Sequence, residues 1–332
     1  MQSSKALRLQ RYKEKTKTET KKKTFFYLCK RMNKQSINSA SKAASIGFFD
    51  GVHKGHQYVI QQLQDEAERR GLKSILVTFD RHPRTVVSPR HVPSLLTTLE
   101  EKEELLRATG VESIAVLPFT QELSQLTARE FMGKILYREL DVRLLVLGYD
   151  HTFGHGGGSL DDYMRWGKET GIEVIRVHEL PNLMVSSSKC RRLLEQGQVE
   201  KAAEMLGRWY SISGEVVRGF RVGHELGFPT ANLQPDTEKL LPAHGAYAVW
   251  VKMTDGTRRG GMLNIGNRPT IGNGEETTIE VNLLDYEGNL YGKRLIVEFA
   301  KQLRDERHFA SREELTRQLA QDEAETRRIL SL

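Results

Sequence analysis

Cysteine is nearly missing from this chain: Cys29 and Cys190 are the two thiols in 332 residues. They cannot build a disulfide framework, and no cluster with metal-ligand spacing accompanies them. Long apolar runs are missing as well. Stretches such as Leu144-Leu145-Val146-Leu147 fall far short of the roughly 20 residues that cross a bilayer, and read as buried strands. The apolar patch Phe25-Phe26-Tyr27-Leu28-Cys29 is shorter than the roughly 7–15 residues of a secretory core. A soluble protein of the reducing cytoplasm is expected, with no membrane partner. Positive charge is lacking where a nucleic-acid-binding body would need it. The chain carries +7, but residues 1–34 hold 12 Lys/Arg against 2 Asp/Glu, which leaves −3 for the remainder. Such a basic arm can serve nucleic acid or anionic lipid. Without the aromatic interleaving of a single-strand-binding surface, a solvated, disordered extension over residues 1–40 is expected instead, and nucleic acid is not an expected partner. The arm is acid-poor, as transit peptides are, but has few arginines and no clear amphipathic repeat.

What is present is enough for two domains. The composition is 38% hydrophobic and 28% charged, with 28 glycines, which fits globular cores. From Ala44 to Arg191 apolar runs alternate with amphipathic ones. Strands are expected at Ser45–Phe49, Ser74–Phe79, Ser113–Leu117, Arg143–Gly148 and Ile172–Val177. Helices are expected from Gly55 to Arg70, from Glu100 to Ala108, and through Leu140 behind a Thr127/Glu130 capping box. That alternation means βαβ units and a parallel sheet, whose ligands bind beyond the carboxyl ends of the strands. After Arg191 the pattern changes. A short helix at Val199–Leu206 precedes strands at Ser211–Val217, Tyr247–Lys252, Arg259–Ile265, Thr278–Leu284 and Arg294–Phe299. Hairpins are expected at Asp255-Gly256 and Glu287-Gly288-Asn289, and a capped helix from Ser311 closes the chain. Short strands with regular turns read as a small barrel. The domains are expected at 41–195 and 205–332.

The most informative segment is Gly47-Phe48-Phe49-Asp50-Gly51-Val52-His53-Lys54-Gly55-His56, between the first strand and the first helix. Glycines allow close backbone approach, and a helix N-terminus offers free N–H groups to a phosphate. Two histidines around a glycine can donate to the oxyanion that grows as an α-phosphorus is attacked. A single histidine there would read as an ordinary loop residue; a His-x-Gly-His pair at a strand-to-helix turn favours the chemical reading.

This string resembles the HxGH motif of nucleotidyltransferases and, over its full length, that of bacterial bifunctional riboflavin kinase/FAD synthetases. Thr78-Phe79-Asp80-Arg81-His82-Pro83 is similar to the family's TFxPHP stretch, with Arg81 where proline is usual. Gly148-Tyr149-Asp150-His151-Thr152-Phe153-Gly154 is similar to its flavin-side loop GxDFxFG, with His151 replacing phenylalanine. Val185-Ser186-Ser187-Ser188-Lys189-Cys190-Arg191 resembles its triphosphate-binding ISSTxIR, with Cys190 at an aliphatic position. The resemblance implies that His53 and His56 are catalytic, that Gly47, Phe49, Asp50 and Gly55 line the nucleotide, and that Ser187, Ser188 and Arg191 grip the departing phosphates. It places His82, Asp150 and Phe153 on the flavin side. Cys190 reads as a buried, inert thiol rather than a redox switch.

In the second half, Gly214–Gly219 leads into Gly223-His224-Glu225-Leu226-Gly227-Phe228-Pro229-Thr230-Ala231-Asn232. Clustered glycines before a Thr/Asn pair suit a flap with two oxygen ligands for a Mg²⁺ that bridges phosphates; taken alone such a cluster is more often a β-turn with core packing. Gly227–Asn232 resembles the GFPTAN motif of riboflavin kinases, and Asn264-Ile265-Gly266-Asn267-Arg268-Pro269-Thr270 resembles their NIGxRPT stretch. By that resemblance Gly219, Gly223, Thr230 and Asn232 bind Mg-ATP, Thr230 and Asn232 touching the metal. Glu280 is the base for the flavin hydroxyl, and Arg304 and Phe309 lie near the flavin. His224 departs from the arginine common in the flap. The resemblance spans about residues 44–330 and implies an α/β, Rossmann-like nucleotidyltransferase domain followed by a small β-barrel riboflavin kinase domain with a terminal helix. It implies phosphorylation of riboflavin to FMN and adenylylation of FMN to FAD, with ATP as co-substrate; a monomer or weak homo-oligomer is expected. Two other classes stay open from the residues alone: an adenylyl- or cytidylyltransferase with another acceptor, which needs no second barrel, and a non-catalytic nucleotide-binding regulator with a basic arm.

Overall fold

The computed structural model describes residues 41–149, 151–178, 184–217, 228–269 and 275–332. The basic arm, Asp150, and the flap residues Gly219, Gly223 and His224 lie outside the described residues. The chain divides into two compact units. The first holds the described residues up to Phe49, then His56–Pro93, then Leu99 onward to residue 178; the second holds Asp50–Gly55, Ser94–Thr98 and the described residues from 184 to Leu332.

The first unit is a five-stranded parallel sheet. Its strands are β1 (Lys42–Ile46), β2 (Lys73–Phe79), β3 (Ser113–Leu117), β4 (Val142–Leu147) and β5 (Glu173–Arg176), in the order β3-β2-β1-β4-β5. β2 is buried from Ser74 to Phe79 and β4 at every residue but Arg143, because both faces are covered. Order reverses between β1 and β4, so the crevice beyond their carboxyl ends is the expected ligand site. Helix α1 (Lys54–Arg69) buries Ile60, Leu63 and Ala67, and α2 (Leu99–Ala108) follows β2. β1 ends three residues earlier than the expected Phe49. Gly47 N–H makes its bond to Val77 O at 3.0 Å, after which Phe49 and Val52 take φ of 55° and 39°. A β-branched residue at positive φ costs roughly 1–3 kcal/mol and persists only where its surroundings impose it.

The Thr127/Glu130 capping box forms, and starts α3 (Ala128–Phe131). The expected regular helix through Leu140 instead widens into π-helix over Met132–Glu139. Phe131, Ile135 and Leu140 are all buried, at spacings that a wider turn brings onto one face, and Leu140 N–H bonds Ile135 O at 3.1 Å. Helix α4 (Leu160–Thr170), capped by Ser159, contributes Tyr163 to the same core.

The second unit is a closed six-stranded antiparallel barrel with helices. Its strands are β6 (Ser211–Val217), β7 (Ala231–Pro235), β8 (Gly245–Lys252), β9 (Arg258–Pro269), β10 (Glu275–Leu283) and β11 (Arg294–Asp305), joined as β10-β7-β6-β11-β8-β9. β7 is the strand that the apolar pattern does not announce. Asp255-Gly256 does turn between the paired strands β8 and β9, with Gly256 at φ 83°. Glu287–Asn289 is not a hairpin, because it joins β10 to β11 and those strands do not pair. Helices α5 (Ser187–Glu195) and α6 (Val199–Leu206) send Cys190, Leu194, Ala202 and Leu206 into the core that holds Tyr247 and Phe299. Leu96, from the Ser94–Thr98 segment, joins that core too. Helix α7 (Arg312–Leu330) begins at Ser311, whose hydroxyl accepts Glu314 N–H as expected.

Candidate active sites

The strand-to-helix loop begins the first site. His53 stands immediately before α1 and is buried, while His56 lies in its first turn with its ring edge-to-face against Phe49 at 5.3 Å. Gly55 packs tightly: a Cβ there would sit 3.1 Å from the His53 ring, which would have to shift by a few tenths of an ångström. Gly51 is required by conformation and space, with φ of 80° and Leu96 Cδ1 2.8 Å from where a Cβ would be.

Asp50 organises a group of residues within the second unit. Its carboxylate is 3% exposed and accepts Leu96 N–H at 3.1 Å, Thr97 N–H at 3.0 Å and Thr97 Oγ1–H at 3.2 Å. It also pairs with the guanidinium of Arg191, whose Nε donates to Ser94 O at 2.8 Å. Ser187 Oγ donates to the Asp50 carbonyl at 2.9 Å. The nominated Asp50, Ser187 and Arg191, 137 and 141 residues apart in sequence, therefore meet. Asp50 meets them as a scaffold, since its carboxylate oxygens are filled by protein donors. Ser188 is exposed in the first turn of α5, whose N-cap hydroxyl of Ser186 accepts Lys189 N–H. Hydroxyls and free N–H groups at a helix N-terminus suit a polyphosphate.

On the first unit, Phe48 sits edge-to-face with His82 at 4.8 Å, and the buried Lys102 ammonium lies 4.0 Å from the Phe48 ring centre. Lys102 Nζ also donates to Phe79 O at 2.8 Å, at the carboxyl end of β2. His82 Nδ1 accepts Arg84 N–H at 3.1 Å. Phe153 stacks on Tyr163 at 4.9 Å, and the Tyr163 hydroxyl clamps it by accepting Phe153 N–H and donating to Phe153 O, both at 2.8 Å. Burial raises the Tyr163 phenol above its ordinary value, keeping it a donor. Gly47 lies at the end of β1 beneath the Phe49 ring.

The barrel brings together the second set. Glu280 pairs directly with Asn232 across β10 and β7, and with Asn264 across β10 and β9. Thr230 Oγ1 donates to Glu280 Oε2 at 3.2 Å, and Asn282 Nδ2 holds Pro229 O at 2.8 Å. Ile279, Val281, Ala231 and Leu233 fill the core, so strand alternation turns Asn232 and Glu280 to the opposite face. Arg304 and Phe309 form a separate group. The Arg304 guanidinium lies 5.4 Å from the Phe309 ring and pairs with Asp322 of α7 at 2.9 Å. Lys102 and Thr97 carry no local sequence signal, since burial of a charge and a long-range bond mark them; Asn264, at the head of the Asn264–Thr270 stretch, is set beside Glu280 by cross-strand register.

Residues 35–189 match the FAD synthetase family, and residues 206–330 match the riboflavin kinase family. A protein of Escherichia coli K12, called a bifunctional riboflavin kinase/FMN adenylyltransferase, is 35% identical over 87% of this chain and 92% of its own. One of the same name from Pseudomonas fluorescens is 37% identical over 86% and 91%. The chain belongs to the bifunctional riboflavin kinase/FMN adenylyltransferase family. A crystal structure from Streptococcus pneumoniae, described as a macrolide-efflux protein, matches at a TM-score of 0.80 and 31% identity, covering 89% of this chain and 97% of that one. Among the described residues no helix is long and apolar enough to cross a membrane. Within the family match, the second compact unit takes Asp50–Gly55, Ser94–Thr98 and residues 184–189 from the FAD synthetase region, and the described residues of the riboflavin kinase region.

Proposed function

We propose that this chain makes FAD from riboflavin in two ATP-dependent steps. The barrel phosphorylates the 5′-hydroxyl of riboflavin to give FMN. The strand-to-helix site transfers AMP from ATP to the FMN phosphate, giving FAD and pyrophosphate. What supports this most is that distant members of each motif set meet: Asp50 with Ser187 and Arg191, and Thr230 with Glu280.

In the kinase step Glu280 takes the proton of the attacking hydroxyl, and Thr230 orients its carboxylate through the 3.2 Å bond. Thr230 and Asn232 supply oxygens, and Glu280 a nearby carboxylate, of the hard kind Mg²⁺ prefers; it takes few protein ligands and keeps its waters and phosphates. Bound there, Mg²⁺ would neutralise charge on the transferring phosphoryl group. In the adenylyl step His53 and His56 donate to the α-phosphate as charge builds on it. Ser187, Ser188 and Arg191 hold the β- and γ-phosphates that leave. No covalent nucleophile is required, because FMN carries the attacking oxygen on its own phosphate. His82 and Phe153 then contact the flavin, together with Asp150. ATP and Mg²⁺ are supplied in the cytoplasm, where we place the enzyme, as a monomer or weak homo-oligomer.

The deciding experiment incubates the purified protein with riboflavin, ATP and Mg²⁺ and separates the flavins over time. FMN should appear first and FAD after it. Failure to form FMN removes the kinase assignment, and failure to convert added FMN removes the adenylyl assignment.

A further inference from the structure

A buried lysine of the barrel unit bears on the other reaction. Lys239 follows β7, inside the riboflavin kinase match, and is 6% exposed. Its Nζ donates to the carbonyl oxygen of Leu96 at 2.8 Å and lies 4.9 Å from the centre of the Tyr210 ring. Around it, Leu95 N–H donates to Glu238 O at 2.7 Å, and Leu240 N–H to Leu95 O at 2.8 Å. The Tyr210 hydroxyl donates to Leu240 O at 2.5 Å. The Ser94–Thr98 segment, which by sequence belongs to the FAD synthetase match, is thereby fastened to the 238–240 turn.

The Leu96 carbonyl and the Thr97 N–H are two ends of one peptide group. Lys239 binds its oxygen, and its N–H donates to Asp50 Oδ1 at 3.0 Å. A single peptide therefore stands between an ammonium and a carboxylate. Charge at the oxygen polarises the amide and strengthens its donor end, more so where water is excluded. Asp50 pairs in turn with Arg191, and Arg191 Nε donates to Ser94 O at 2.8 Å. Both anchors of the Arg191 guanidinium thus rest on the short segment that Lys239 fastens. Burying an ammonium forfeits its hydration, whereas a methionine would fill similar space without that loss. The charge is placed where it acts on Asp50.

We propose that Lys239 is a positioning residue for adenylyl transfer: it fixes the Leu96–Thr97 peptide on Asp50, and so sets how Arg191 meets the ATP phosphates. This rests on the adenylyl-transfer reading of Asp50, Ser187 and Arg191. It gives a residue of the kinase region a part in the other reaction.

The test measures both activities of the full chain. In Lys239→Met the KM for ATP in FMN adenylylation should rise about tenfold, as expected for losing one charge-assisted hydrogen bond. The KM for FMN and the rate of riboflavin phosphorylation should stay within about twofold, which a general loss of folding would not allow. Lys239→Arg should recover part of the loss. In an Asp50→Asn background the same change should add less than about twofold, because the two residues act in series. An unchanged KM for ATP in Lys239→Met, or losses that multiply with Asp50→Asn, would overturn the proposal. Should Lys239→Met fail to fold, Lys239→Gln carries the same expectations. A parent protein that forms no FAD would count against the functional reading itself; a parent that forms FAD with indifferent Lys239 variants would count against the positioning role alone.

Discussion

The two sites hold their residues by different means. In the barrel, position follows from strand pairing: Asn232 and Glu280 are direct partners, and Asn264 lies opposite on the other side of Glu280. A slip of one residue would turn the whole row into the core, so the same burial that stabilises the barrel also enforces the site. The strand-to-helix site has no such ladder. Its loop leaves β1 through two non-glycine residues at positive φ, and one buried carboxylate ties it to Leu96, Thr97 and Arg191. A site built on register resists local damage, whereas a site built around one carboxylate concentrates its dependence there.

The sharpest way to break this comparison is to remove one reacting group from each region. His53→Ala should lower FMN adenylylation by roughly 10²–10³-fold, the usual cost of a lost transition-state donor, while riboflavin phosphorylation persists. Glu280→Ala should lower riboflavin phosphorylation by roughly 10²–10⁴-fold, the range of general base catalysis, while added FMN is still adenylylated. Rates of each half-reaction, measured separately, check both. If either variant lost both activities while remaining folded, the two regions would not be chemically separate.

The contrast also accounts for what could be read in advance. Runs that are both local and contiguous were legible: the parallel strands, the Thr127/Glu130 and Ser311/Glu314 caps, and His53-Lys54-Gly55-His56 before a helix. β7 was not, because Ala231-Asn232-Leu233-Gln234-Pro235 has little apolar material, and its strand state comes from partners on both sides. The π-helix was not, because a regular helix and a widened one share their capping signal. Asp50 reads in sequence as one polar residue of a glycine-rich loop; its role as scaffold depends on Thr97 and Arg191, which no local pattern joins to it. The end of β1 at Ile46 was hidden for the same reason, since Phe48 and Phe49 are apolar enough to continue a strand.

A smaller effect is expected where the barrel borrows support from outside its ladder. Arg304 pairs with Asp322 of α7 at 2.9 Å, with side-chain exposures of 18% and 6%. Gln318 Nε2 adds a bond to Asp322 Oδ1 at 2.7 Å. Asp322→Ala would leave a mostly buried guanidinium without its carboxylate and should cost about 3 kcal/mol, the lower end for a broken buried pair. The denaturant midpoint followed by barrel tryptophan fluorescence measures it. FMN adenylylation below that midpoint should change less than riboflavin phosphorylation, because Arg304 and Phe309 stand on the kinase side. Equal losses in both would say that the barrel's register alone does not sustain its site.

The smallest effect concerns α5, the helix that carries Ser187 and Arg191 and is rooted in the barrel core by Cys190 and Leu194. Burial pushes the Cys190 thiol up to about 11 from an ordinary 9.0, against the pull of the Arg191 and Arg208 charges. A raised value in the folded state favours the neutral thiol there. Its contribution to stability is therefore complete below pH 9 and is lost as pH rises through about 11. At pH 8 the thiolate fraction is about a hundredfold lower than in an unfolded chain, so alkylation of the folded protein should be slower by at least that factor. In a Cys29→Ser background, iodoacetamide labelling with and without denaturant gives the ratio. Rapid labelling of the native protein, accompanied by loss of FMN adenylylation but not of riboflavin phosphorylation, would mean that α5 leaves the barrel core on its own. Ser187 and Arg191, proposed to hold the phosphates, would then be held by the Asp50 contacts alone, and the division between a register-built site and a carboxylate-built one would be sharper than the packing of α5 implies.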